Sequence, residues 1–196
     1  MPPMAENLMT DAQDVLAFWF DPDHEALWFE RNDAFDEAIR SRFGALHEAA
    51  ARGELDSWIT LPEGWMALLL VLDQFSRNLH RGDARTFACD AKAQRLALEG
   101  IAQGFDERLP PAWRVFAYMP LEHAEDRALQ DRSVALVEGL CAAFPGEAVY
   151  ANYLSYAQRH REVIERFGRF PHRNAVLGRT CTPEELQYLA QPGAGF

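Results

Sequence analysis

Trp65-Met-Ala-Leu-Leu-Leu-Val-Leu-Asp-Gln-Phe-Ser-Arg-Asn-Leu-His-Arg-Gly82 changes character halfway along. Its first eight residues are apolar all round, which predicts a central helix buried on every side. Pro62 suits the first turn of that helix. From Asp73 onward the helix turns polar, and Asp73, Arg77 and Arg81 stand at i, i+4 and i+8, on one face. That face continues Met66 and Leu70, so the charges are expected to point inward or into a cleft. The plainer reading is an Asp73–Arg77 pair at a solvated helix end, weak as such pairs usually are.

Helical period extends in both directions. Toward the N-terminus a helix is expected from Thr10, with Gln13 placed for a capping box and Val15, Leu16, Phe18, Trp19 and Phe20 ahead of the Asp21-Pro22-Asp23 break. A short helical segment around Glu25–Glu30 follows, then a stripe of Phe35, Ile39, Phe43 and Leu46 closed by Gly53. These aromatics read as core, with an aromatic wall beside a ligand as the other reading. Toward the C-terminus a helix over 85–103 points Phe87, Ala91, Gln94, Leu98 and Ile101 inward, and Pro110-Pro111 opens the next, which Pro120 kinks or ends. Helices from Arg127 to Phe144 and from Glu147 to Phe167 come after. In the second of these Tyr150, Tyr153, Ala157, His160 and Ile164 share the inward stripe. Gly168 and Pro171 end it, and Thr182-Pro-Glu-Glu185 starts a last helix with a capping box.

No segment alternates as a strand does. The chain therefore reads as all-α, about seven to nine helices with short turns and antiparallel neighbours. One domain is expected over 1–190, with 191–196 as a loose tail. Helix pairs of about 35–45 residues invite comparison with helical repeats, although no residue pattern recurs.

Hydrophobic content of 48% with 25% charged residues is globular. A net charge of −11 argues against nucleic acid as a partner, because phosphate contacts need a basic surface. The acidity is uneven: residues 1–72 carry 14 acidic and 4 basic side chains, whereas 73–104 carry 4 and 5, and 159–196 carry 4 and 6. An acidic body with local basic sites suits small anions. Cys89, Cys141 and Cys181 lack paired spacing and read as reduced thiols. No signal peptide is expected, and the longest apolar run, Trp65–Leu72, falls far short of the roughly 20 residues of a membrane span. A soluble cytoplasmic protein without a membrane partner is the expectation.

Familiar catalytic signatures are missing: there is no Gly-rich phosphate loop, HExxH, GxSxG or Glu-x-x-His. Ser57, Ser76 and Ser155 have no neighbourhood suggesting a nucleophile, and neither a cofactor nor a metal is expected. Three groups of polar residues remain. Asp73, Gln74, Arg77, Asn78, His80 and Arg81 form one; Glu122, His123, Glu125 and Asp126 form another; His160, Arg169, His172, Arg173, Asn174 and Arg179 form the third. The arginine fork suits carboxylate and phosphate, and histidine suits proton transfer near neutral pH. Glu122, His123 and Asp126 leave a metal or acid–base site as a third, poorer reading; the 122–126 acids equally suit the start of a helix, where they complement its dipole, and Arg/His/Asn-rich loops often tie down helix ends.

Leu72-Asp-Gln-Phe-Ser-Arg-Asn-Leu-His-Arg-Gly82, Tyr118-Met-Pro-Leu-Glu-His-Ala-Glu-Asp126, and His160 followed by Phe167-Gly-Arg-Phe-Pro-His-Arg-Asn174 and Leu177-Gly-Arg179 resemble, in order and spacing, the bacterial family known as domain of unknown function 924. Val15-Leu-Ala-Phe-Trp-Phe20 and Trp28-Phe29 fit it too. Ser76 departs from it, at a position where the pattern favours proline. The resemblance implies a fold similar to right-handed tetratricopeptide-repeat superhelices, located in the cytosol. It implies no activity and lends no catalytic residues.

Inward helical phasing and the locally reversed charge predict a polar, Arg/His-lined pocket for a small anionic metabolite or a carboxylate-bearing peptide. Arg77, Arg81, Arg169 and Arg173 would hold the anion with Asn174 beside them. His160 and His172 would move protons, and Asp73 and Glu122 would orient them. Two alternatives stand beside this: a hydrolase or group transferase using His160 and His172, and a protein-binding scaffold in which the motifs only brace helices.

Overall fold

The computed structural model describes residues 4–195, with side chains from residue 11 onward. Among the described residues there are nine α-helices and no strand. They are α1 (Met4–Trp19), α2 (Asp33–Arg52), α3 (Pro62–Leu69), α4 (Ser76–Leu79), α5 (Asp90–Ala102), α6 (Pro111–Glu122), α7 (Arg127–Ala143), α8 (Ala148–Phe167) and α9 (Pro183–Leu189). A π-helical stretch, Leu70–Phe75, joins α3 to α4, and short 3-10 turns occupy several connections. Among the described residues no helix is long and apolar enough to cross a membrane.

The chain forms two compact units, one from Met1–Arg81 with Arg85–Pro120, the other from Gly82–Ala84 with Leu121–Phe196. The first is built around the all-apolar stretch. Trp65 through Leu72 are buried without exception, and α1, α2 and α5 pack on this axis. Phe18, Trp19, Phe35, Phe43, Phe75 and Phe116 pack edge-to-face and offset around its end, so the early aromatics are mostly core. Phe29 differs, at 61% exposed.

The axis is not one uniform α-helix as its sequence period suggests. Where it turns polar, the Ser76 hydroxyl donates to the Leu72 carbonyl at 2.7 Å and Arg77 Nη1 donates to the Asp73 carbonyl at 2.8 Å. Such back-bonding competes with regular i→i−4 pairing and accompanies the wider π turn.

Four local expectations change. The first helix begins at Met4 instead of Thr10, whose side chain lies outside the described set, as therefore does the expected capping box. The segment around Glu25–Glu30 is a 3-10 turn over Pro22–Leu27, started by Asp21, whose carboxylate accepts from Asp23 N. Pro120 does not end α6, which runs two residues further although proline removes the donor to the Phe116 carbonyl and crowds it with its ring. The helix expected over 85–103 starts at Asp90 and buries Ala93, Leu96, Ala97 and Gly100, leaving Leu98 38% exposed. Here small residues win over large ones. Trp65 lies flat against Gly100 and donates its indole N–H to the Leu96 carbonyl at 2.7 Å, so the helix approaches on its Ala/Gly face.

In the second unit α7 and α8 pack side by side, joined by a short turn, as an antiparallel pair. Gly168 ends α8 in the left-handed region at φ +69°, where only glycine sits without strain. The chain then folds back through Pro171–Arg173 onto α9, whose Thr182–Glu185 capping box forms as expected.

Candidate functional site

Asp73, Arg77 and Arg81 lie in the first unit; Glu122, His160, Arg169, His172, Arg173 and Asn174 lie in the second.

In the first unit the polar half of the axis is buried and paired. Asp73 is 1% exposed, and Arg77 Nη1 stands 3.1 Å from its Oδ1. The same guanidinium grips Asp90, at the start of α5, through Nη1 at 3.1 Å and Nη2 at 3.2 Å. Burial disfavours the Arg77 cation, yet Asp73 and Asp90 more than offset it and hold its pKa above the ordinary arginine value. Arg81 is past the end of α4 and turns to α2. There its Nε and Nη2 meet the two oxygens of Asp36, and Asn78 Nδ2 adds a third donor at 2.7 Å. The inward phase of Asp73 and Arg77 is thus realised, as a buried brace between helices instead of a solvated pair.

Beside it stands a pair that sequence reasoning missed. His47 Nε2 is 2.7 Å from Ser76 Oγ, both buried, and the His47 ring is 5.4 Å from that of His80. Burial first, then His80, lowers the His47 pKa to about 4, against a smaller opposing effect of Glu48. The helical stripe of α2 bears His47 and Ala50 where Leu46 was expected to continue it. Ser76 therefore has a histidine neighbour after all, although it is fully buried.

In the second unit the residues collect around Phe170, which is completely buried. The His160 ring lies 5.7 Å from it edge-on, the His172 ring 5.6 Å away, and the Arg173 guanidinium 4.4 Å above its face. His160 occupies the inward stripe of α8, 6% exposed. Its Nδ1 is 2.9 Å from the Tyr156 carbonyl and 2.9 Å from Glu122 Oε1. Two acceptors on one nitrogen require that nitrogen to carry the proton, which leaves Nε2 with the lone pair in the neutral ring. His123 stands 6.2 Å from His160, ring to ring. Burial first, then Arg173, His160 and His123, pushes the His172 pKa down to about 4, so it is neutral at pH 7. An imidazole oriented by a carboxylate, a second imidazole that is neutral at pH 7 and a nearby guanidinium are the components of proton transfer on an anion.

The remaining loop residues tie the chain down. Arg169 grips Glu185 through Nε at 2.6 Å and Nη2 at 2.9 Å. With Thr182 N–H and Asn174, it holds the Glu185 carboxyl at about 2. Asn174 donates to Glu185 Oε2 and accepts from Arg179 Nε at 2.8 Å. Arg179 in turn forks onto Glu125 at 2.6 and 2.9 Å, and Glu125 accepts the Phe170 N–H at 2.8 Å. Burial works against charge on Glu125, but Arg179 and that N–H outweigh it and lower its pKa. Asp126 caps α7 by accepting the Leu129 N–H at 3.0 Å. Among the described residues no group of three or more His, Cys, Asp or Glu is arranged to hold a metal. Asp36, Asp90 and Glu185 were not expected as arginine partners. Their distance in sequence gave no signal, although Glu185 was legible as a cap.

A model of a family described as bacterial protein of unknown function (DUF924) matches residues 15–193. A solved structure titled a protein of unknown function ATU0120 from Agrobacterium tumefaciens superposes with a TM-score of 0.83 at 44% identity, covering 93% of this chain and 98% of that one. No curated protein matches.

Proposed function

The chain belongs to the bacterial DUF924 family, and we propose that it binds a small anionic metabolite or a carboxylate-bearing peptide at the histidine cluster of its second unit. The observation that carries this reading is the Glu122–His160 contact, a buried carboxylate fixing one imidazole nitrogen as donor and leaving the other as acceptor. Arg173 supplies the positive charge for the anion, and His172 adds an imidazole that is neutral at pH 7. The enzymatic form of the proposal has His160 Nε2 take a proton from the ligand or its attacking group while Glu122 stabilises the imidazolium that results. Three free thiols support a reducing, cytoplasmic setting.

A thermal-shift screen of anionic metabolites tests it. A ligand at about 100 times its Kd adds about 2.7 kcal/mol and raises Tm by roughly 5–10 °C. That rise disappears in His160→Asn and Arg173→Gln, each compared with its own ligand-free Tm. A screen in which no anion raises Tm, or a rise that survives both substitutions, rejects the proposal.

A second reading is favoured by a separate observation: Arg77, Arg81 and Arg169 each grip an internal carboxylate. On this reading Asp73, Arg77, Arg81, Arg169 and Asn174 only brace helices of a tetratricopeptide-like scaffold that docks a protein. It expects Arg77→Met and Arg169→Met to lower stability and leave every anion-induced shift unchanged.

A further inference from the structure

Beyond α9 the chain makes a defined turn. Ala194 N–H donates to the Gln191 carbonyl at 3.2 Å, and Gly193 has φ +76°. Proline second and glycine third in a closed four-residue turn is the signature of type II, in which the third residue must take positive φ. Gly195 follows at φ +89°, a second conformation that glycine adopts without strain. The local sequence Gln191-Pro-Gly-Ala-Gly195 thus encodes a particular path for the backbone.

That path runs over the second unit's polar face. The Gly193 carbonyl stands 3.5 Å from Arg159 Nη2, and the Arg159 guanidinium itself lies 5.2 Å from the Tyr156 ring on the same helix. A Cβ on Gly195 would lie 3.1 Å from His172 Cβ and 3.4 Å from its Cγ, so the bare backbone packs close against the His172 side chain and an added side chain would have to push it aside. Ala194 and Gly195 are half-buried there. His172 is also the partly exposed neighbour of Phe170, against which the buried His160 ring packs edge-on.

We propose that the Arg159–His172 face is a binding site for an extended, small-residue peptide segment, occupied in this chain by its own strap Gln191–Gly195, which controls access to the histidine cluster. The functional meaning rests on the reading of that cluster as a ligand site; the strap contact itself does not. A carbonyl on a guanidinium and glycine backbone on an imidazole are contacts that a peptide in trans reproduces, so strap and ligand exclude one another.

The test is the rate of histidine acylation by diethyl pyrocarbonate at neutral pH, read by peptide mapping on three chains: full length, truncated after Ala190, and Gly195→Val. The neutral His172 ring is the reactive form once solvent reaches it. Truncation is expected to speed labelling of His172 at least about fivefold, as a permanently open site replaces a transiently open one. Gly195→Val is expected to speed it less, because the added side chain lifts the strap without removing it. His47, buried in the first unit, is the folding reference there and keeps its rate, and unchanged helical circular dichroism is the reference for the second unit. Equal His172 rates in all three chains overturn the proposal. If His47 accelerates in the truncated chain, that chain has unfolded and Gly195→Val alone decides. A failed anion screen leaves this labelling difference intact, and equal labelling leaves the anion screen intact, so the two readings fail separately.

Discussion

Replacing Arg77 by methionine separates bracing from ligand binding in the first unit. The substitution keeps most of the side-chain volume and removes the guanidinium that stands 3.1 Å from Asp73 and forks onto Asp90. Both carboxylates are buried, at 1% and 7% exposure, so neither can recover its lost partner from water. Removing one member of a buried, hydrogen-bonded charge cluster costs about 3–5 kcal/mol, against about 0–1 kcal/mol for a surface pair. With a urea slope of about 2 kcal/mol/M, the midpoint falls by roughly 2 M. The assay is tryptophan fluorescence, which reports this unit alone because Trp19, Trp28, Trp58, Trp65 and Trp113 all belong to it. Adding Asp90→Asn should restore part of the loss, since it removes one stranded charge. A loss below about 1 kcal/mol for Arg77→Met refutes the brace, because a pair that cheap to break behaves as if solvated.

Two further outcomes follow from packing and titration. Gly100→Ala ordinarily stabilises a helix by about 1 kcal/mol, yet here its Cβ overlaps the Trp65 indole and forces that ring off the Leu96 carbonyl. A net loss of about 2–4 kcal/mol in the same urea assay is expected, and a gain would mean that Trp65 does not lie on Gly100. Acid should weaken the fold early. His47 and His172 titrate at about 4 in the folded chain against 6.5 when unfolded. The unfolded chain therefore binds more protons over that window, and stability falls as pH drops from about 6.5 to 4, by up to about 3 kcal/mol per histidine. Glu185, held at about 2, keeps its contribution until pH falls below 4.5. Urea midpoints at pH 7 and 4.5 check this, and His47→Asn should flatten the fluorescence-detected slope.

Much of the architecture was legible in the chain itself. The apolar run Trp65–Leu72 announced a buried axis, the glycines at 53 and 168 announced helix ends, and the inward phase of His160 followed from its spacing alone. These are local properties, set by helical period, by the excluded volume of Cβ at positive φ and by capping geometry. The α5 face was not legible, because Ala93, Ala97 and Gly100 carry too little apolar surface to mark a stripe, and Gly100 gives Trp65 its close approach. Nor were the partners of the arginines. Arg77, Arg81 and Arg169 have forks that fit any carboxylate, and only the folded chain brings them Asp90, Asp36 and Glu185. The basic stretch from His160 to Arg179 therefore divides on folding: Arg169, Asn174 and Arg179 bond to Glu185 and Glu125, and His160, His172 and Arg173 gather on Phe170. Sequence determined which side chains point inward where large apolar residues mark the stripe, since that depends on neighbours a few residues away. Which charge meets which depends on contacts between distant segments, and the tertiary structure alone decided that.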